Sequence, residues 1–248
     1  MASLVVPARF TGPPSSGNGG WVAGALAALL PAAAAVTVRL SAPPPLDVPL
    51  DVVPDGAGLR LESDGTLVAT ATPADAAAAD PYDTGDAFVD LDVARAAGAS
   101  YPDGDAHPFP SCVVCSPVHP DGLRLRPWRP AGGPAGVAAT PWTPDASLGD
   151  ADGLATTAAV WAALDCPGGW AVGLGGRVML LGTVTGTVAR RPAVGEECVV
   201  AGTARGGAGR KEHSTTTLFA ADGERLAWCA QVWIAVDIAV EVPAVAPS

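Results

Sequence analysis

One unit is written twice along this chain, and that repeat limits the folds open to it. Gly19 to Leu30 (GGWVAGALAALL) is an almost wholly apolar helix candidate, with Asn18 at its N-cap and Pro31 as its stop. Further on, Gly153 to Asp165 (GLATTAAVWAALD) repeats the pattern, with Asp152 at the cap position and Cys166-Pro167-Gly168-Gly169 as the stop. Both stretches are apolar all round, so both are expected to be buried. The same elements follow each. After the first come strand patterns at Val36–Leu40 and Leu50–Val53, then a hairpin over Leu59–Ala71 that turns at Asp64-Gly65. After the second come Val178–Val188 and Glu197–Thr203, then Ser214–Phe219, which turns through Asp222-Gly223 into Arg225–Val236.

A hydrophobic helix followed by consecutive antiparallel strands buries itself most economically when the sheet wraps around it. Two such sheets placed edge to edge form one continuous sheet with two helices inside, an α+β architecture. The repeat divides the chain into a first unit at 1–100, a Pro/Gly-rich connector at 101–141 and a second unit at 142–248. Composition removes other classes. The 25 acids outweigh the 14 bases, and Lys211 is the only lysine, which disfavours general nucleic-acid binding. Charged residues make up 16% against 49% hydrophobic, unlike a disordered regulator. Trp21–Val38 carries no charge, but it is alanine-rich and broken by Pro31, so no membrane span is expected. The start of the chain lacks a basic segment ahead of an apolar one, and five cysteines is an odd number. Both features fit a cytoplasmic protein.

Phe10–Trp21 (FTGPPSSGNGGW) resembles the "GPP…HGG" approach to the central helix of hotdog-fold thioesterases, with Asn18 where many members have His. The doubled layout is similar to the double-hotdog acyl-CoA thioesterases of the thioesterase II type. It is also similar to a group of uncharacterised actinobacterial thioesterase-like proteins, in which Cys112-Val113-Val114-Cys115 and Trp161–Ala171 (WAALDCPGGWA) have close counterparts. The resemblance implies a double hotdog, two long buried helices each wrapped by an antiparallel sheet. It also implies hydrolysis of an acyl-CoA or similar thioester, with no cofactor and with homodimers common in the fold. The same fold hosts non-catalytic acyl binders and dehydratases, which remain alternatives.

Thioester hydrolysis needs a donor to the carbonyl oxygen, an activator for water and an apolar slot. The resemblance assigns the donors to backbone N–H groups where the central helices begin: Gly19 and Gly20, or Gly153 and Leu154. Helix N-termini leave such groups free and electropositive. It places Asp165 at the family's Asp position and Thr156 at its His position. Asp165 is the sole acid on either apolar helix, costly there unless paired or functional. Asn18 is a candidate to orient water or polarise a carbonyl. The family pairs its Asp with a Thr and a Gln on later strands. Gln231 is the only glutamine, and Thr183–Thr187 and Thr215–Thr217 leave the register open.

Three further features remain. Cys112 and Cys115 form a C-x₂-C flanked by His107 and His119, a set able to hold zinc, although buried free thiols suit the apolar filling better. Cys166 follows Asp165 with no histidine near it in sequence. Arg210 and Lys211 lie in the one cationic, Gly-rich loop and are the natural contacts for the phosphates of a CoA-like partner. No glycine pattern for mono- or dinucleotides occurs in a strand–loop–helix setting.

Overall fold

The computed structural model describes residues 2–31, 33–82, 88–102, 107–174 and 176–236. Its first half contains β1 (Ala2–Val5), α1 (Gly19–Ala27), β2 (Ala35–Leu40), β3 (Pro49–Asp55), β4 (Gly58–Ser63) and β5 (Thr66–Ala74). Then follow α2 (Ala76–Ala79), α3 (Leu91–Ala99) and β6 (Val137–Trp142). The second half follows with α4 (Thr157–Ala171), β7 (Met179–Val188), β8 (Cys198–Ala208), β9 (Lys211–Ala220) and β10 (Arg225–Ala235). All ten strands join one sheet in the order β1-β3-β4-β5-β2-β7-β10-β9-β8-β6. From the centre outward, β2-β5-β4-β3-β1 and β7-β10-β9-β8-β6 are the same arrangement. They meet where β2 pairs antiparallel with β7, Thr37 opposite Thr185 and their hydroxyls 2.8 Å apart.

Hairpin chemistry sets the strand registers. Asp64 and Gly65 both take positive φ (47° and 75°), as a two-residue turn between right-twisted strands requires. The helices lie inside the sheet. Trp21, Val22, Ala23 and Leu26 of α1 share one continuous core with Val160 to Leu164 of α4, joined by Cys112–Cys115 from the connector. Among the described residues, no helix is long and apolar enough to cross a membrane.

Both helix ends differ from the sequence reading. The first helix stops at Ala27, three residues before Leu30. The second begins at Thr157, capped by Thr156 rather than Asp152, and runs through Pro167 to Ala171. Proline breaks a helix partly by stranding carbonyls. Here the Gln231 side chain, arriving from β10, donates Nε2–H to the carbonyls of Leu164 and Asp165, 3.1 Å to each. These two bonds tie β10 to the helical turn just after Ala163, the residue whose carbonyl loses its usual N–H partner to Pro167.

The helices cross antiparallel at very short range. A Cβ on Gly24 would stand 2.6 Å from Trp161 Cβ and 2.8 Å from Ala158 Cα. One on Gly20 would stand 2.6 Å from Asp165 Cβ. This crossing brings the start of α1 beside Asp165 on α4. Gly24→Ala is expected to destabilise the fold, because roughly 3 kcal/mol of overpacking exceeds the ~1 kcal/mol gained in helix propensity. A net loss of about 2 kcal/mol lowers Tm by roughly 4–8 °C in a chain of this size. An unchanged melting curve in circular dichroism would show that the helices do not meet there.

Candidate active site

Asn18 ends an extended segment and caps α1, its Oδ1 accepting from the Trp21 N–H at 2.9 Å. Its other end crosses to the second half of the chain: Nδ2 donates to Asp165 Oδ2 at 2.8 Å. The Gly20 N–H donates to the same oxygen at 3.2 Å. Asp165 is 4% exposed, and its Oδ1 is buried without a partner. Burial pushes its carboxyl up to about 7, helped by negative charge at Cys112 and opposed by the donors Gly20 and Asn18. Gly19, the first residue of α1, has no carbonyl one turn back, and its N–H has no acceptor among the described residues.

These groups border one cavity of about 820 Å³. Asn18, Gly19 and Asp165 lie on its wall beside Leu40, Phe109, Leu181 and Trp233, so a small polar corner opens into an apolar slot. The size falls in the range of ligand pockets.

In sequence, the two helix starts are separate candidates for the donors. The structure instead combines Asn18, Gly19 and Gly20 of the first half with Asp165 of the second. Gly20 serves Asp165 rather than facing the cavity as a free donor. Gly153 and Leu154 are not brought there. They precede α4, and their N–H groups donate to the Asp150 carbonyl (3.1 Å) and carboxylate (3.2 Å). Thr156 is also absent from the wall. Its hydroxyl caps α4 by accepting from Ala159 N–H at 3.2 Å.

Gln231 and Thr216 find their places one layer beneath. Gln231 Oε1 accepts from Ser214 Oγ (2.9 Å) and Thr216 Oγ1 (3.1 Å), and Trp233 Nε1 donates to Ser214 Oγ at 3.1 Å. This buried network holds the backbone of Asp165, not its carboxylate. Every polar atom of the Gln231 amide is thereby used, which fixes the helix register that aims Asp165.

The cysteines supply the feature that sequence reasoning missed. The C-x₂-C turn is clamped onto the segment leading into α1, with Val113 N–H donating to the Thr11 carbonyl (2.7 Å) and Ser111 Oγ to the Gly12 carbonyl (2.8 Å). That docking carries Cys112 to Cys166, Sγ to Sγ 3.6 Å, with Cys115 also 3.6 Å from Cys112. Contact with the Cys115 and Cys166 thiols lowers the pKa of Cys112, whereas burial, then the contact with Cys112, raises that of Cys115, and the contact with Cys112 raises that of Cys166. All three cysteines border the cavity. His107 is buried nearby, its Nδ1 accepting from Phe109 N–H at 3.0 Å and burial holding its pKa down. His119 stands apart and accepts from Asp121 N–H at 3.2 Å.

Arg210 lies in the exposed turn between β8 and β9, Lys211 opens β9, and neither lines the cavity. The register nevertheless sets Lys211 opposite Ile234, and the Arg210 carbonyl accepts from Ala235 N–H at 2.7 Å. Ile234 and Val236 do line the cavity, so the turn stands beside it. Neither cation has an ion-pair partner among the described residues.

The arrangement of one sheet enclosing two antiparallel helices is the double hotdog, and solved structures share it over nearly their whole length. One is a protein of Novosphingobium aromaticivorans DSM 12444 described as a candidate thioesterase (TM-score 0.58, 18% identity, 94% of this chain and 93% of that one). Another is a hot dog fold protein of unknown function from Alicyclobacillus acidocaldarius (TM-score 0.58, 16% identity, 96% and 93%). A third is the tesB protein of Mycobacterium avium subs paratuberculosis (TM-score 0.56, 14% identity, 91% and 90%). At these identities the likeness shows the fold alone. In sequence the chain matches no family model and no curated protein.

Proposed function

We propose that this chain hydrolyses an acyl-CoA or similar acyl thioester, with one composite site per chain built across the two helices. The observation that carries the reading is the buried, unpaired Oδ1 of Asp165, a residue that lines the cavity, while Asn18 and Gly20 hold its companion oxygen. A buried carboxylate oxygen fixed in place and left without a donor is arranged to receive a proton. The thioester carbonyl accepts from the Gly19 N–H at the electropositive start of α1. Asp165 takes a proton from water as the oxygen attacks the carbonyl carbon. The tetrahedral intermediate collapses with loss of the thiolate, which takes up that proton from Asp165 and leaves as the thiol. The acyl chain lies among Leu40, Leu181 and Trp233. Five free cysteines support placement in a reducing cytoplasm.

A panel of acyl-CoAs of increasing chain length, followed by loss of thioester ultraviolet absorbance, tests the activity without interference from those thiols. Turnover of at least one chain length is expected. Tight binding of acyl-CoA with no turnover by the pure protein would make it an acyl-binding module and overturn the reading.

Arg210 and Lys211, exposed beside the cavity, are the contacts we assign to the CoA phosphates. Removing both (Arg210→Ala, Lys211→Ala) is expected to raise KM for the acyl-CoA about 3–10-fold with kcat unchanged, since each exposed contact contributes roughly 0.2–1 kcal/mol. The effect should fade at high salt and vanish with an acyl-pantetheine lacking phosphates. Equal KM changes for both substrates would remove the loop from phosphate recognition.

A further inference from the structure

We propose that Cys112, Cys115 and Cys166 bind one zinc ion, which fastens the connector to α4 at the edge of the cavity. The three Sγ atoms all lie within 4.8 Å of one another, and two of the pairs are 3.6 Å apart. Zinc–thiolate bonds of about 2.3 Å arranged tetrahedrally put sulfurs about 3.8 Å apart, so the cluster already has close to the edge length of such a site. No cysteine is in a disulfide.

The sulfurs come from two distant segments. The C-x₂-C turn is the usual bidentate spacing for a tetrahedral metal, and its docking onto the Thr11–Gly12 backbone carries both sulfurs to a helix residue beside Asp165. Packing alone would be satisfied by any three small apolar groups. An independent observation lies in the surrounding shell: the Trp170 indole Nε1, buried and without a hydrogen-bond partner, sits against Cys115. Donors of this kind surround metal-bound thiolates and offset their charge. His107 is not a ligand in this arrangement. Its Nδ1 already accepts from Phe109, which leaves the ring proton on Nε2. With all three cysteines lining the cavity, the fourth position is left to a water or to the occupant of the cavity. Binding displaces the thiol protons, so apparent affinity should rise with pH.

Elemental analysis of the full chain, purified with a non-chelating reductant, is expected to give one zinc per molecule. Cobalt added after zinc removal should produce thiolate-to-cobalt charge-transfer absorption in the near ultraviolet. Cys166→Ser and Cys115→Ser should each weaken cobalt binding by at least 10-fold, whereas Cys198→Ser, in the sheet, should leave it unchanged. Circular dichroism of each variant reports whether it is folded, and the wild-type spectrum answers the question alone if a variant is not. Metal-free protein as purified, combined with no charge-transfer band on cobalt addition, would overturn the proposal. So would cobalt binding that ignores the loss of Cys166. None of these readouts depends on thioester hydrolysis.

Discussion

Replacing Asp165 by asparagine is expected to lower kcat on acyl thioesters by roughly 10²–10⁴-fold, the contribution typical of a positioned general base. The fold should survive, because the asparagine oxygen can still accept from Asn18 and Gly20, the two donors to Asp165 Oδ2. Stability should hold or rise. The wild type keeps a carboxyl 4% exposed inside an apolar helix pair, and a neutral amide of the same shape removes that desolvation cost. KM should change little, since the base acts in the transition state rather than in binding. Steady-state kinetics and a melting curve on the same preparation check all three. An active Asp165→Asn enzyme would make this carboxyl a structural brace between the helices.

The second large effect is expected from Gly19→Pro. Proline removes the backbone N–H proposed to hold the carbonyl oxygen, and it does so at the first helical position, where it is best tolerated. The preceding residue, Asn18, has φ −63° and ψ 129°, the extended conformation that a residue before proline requires. Loss of one oxyanion donor costs about 10²–10³-fold in kcat. Gly19→Ala is the matched control. It adds a similar Cβ, which meets the ends of Leu40 and Leu181 at 2.8 and 3.3 Å and Leu181 Cβ at 3.4 Å, and it keeps the N–H. Alanine is therefore expected within a few-fold of wild type and proline far below. Equal losses in both would point to crowding of the acyl slot instead of a missing donor.

How far these residues were legible follows the range of the interactions that place them. Asp64-Gly65 and Asp222-Gly223 act on their immediate neighbours, so both hairpins and the doubled order of helix and strands could be read directly. The edge strands β1 and β6 could not. They are short, β6 contains Pro141, and each is a strand only because β3 or β8 offers it a partner. Pro167 was a sound local stop signal. The helix nevertheless runs on to Ala171, and Gln231 from a distant strand donates to its Leu164 and Asp165 carbonyls.

The site was legible in its parts and not in its assembly. Asp165 stood out as the lone acid on an apolar helix, and Asn18 as a polar cap before a glycine pair. That one belongs to the other follows from the close crossing at Gly20 and Gly24, which neither helix announces by itself. Cys166 was invisible as a partner of Cys112 for the same reason. Fifty-four residues and a docked connector separate them in sequence.

The most direct test of the composite site is a crystal structure with a ketone analogue of an acyl-CoA, in which CH₂ replaces the thioester sulfur so that the carbonyl survives. The carbonyl oxygen is expected within hydrogen-bond reach of the Gly19 N–H, with Asp165 Oδ1 facing the carbonyl carbon or a water beside it and the acyl chain among Leu40, Leu181 and Trp233. An analogue bound with its acyl chain outside that cavity, or with its carbonyl turned away from Gly19 and Asp165, would contradict it.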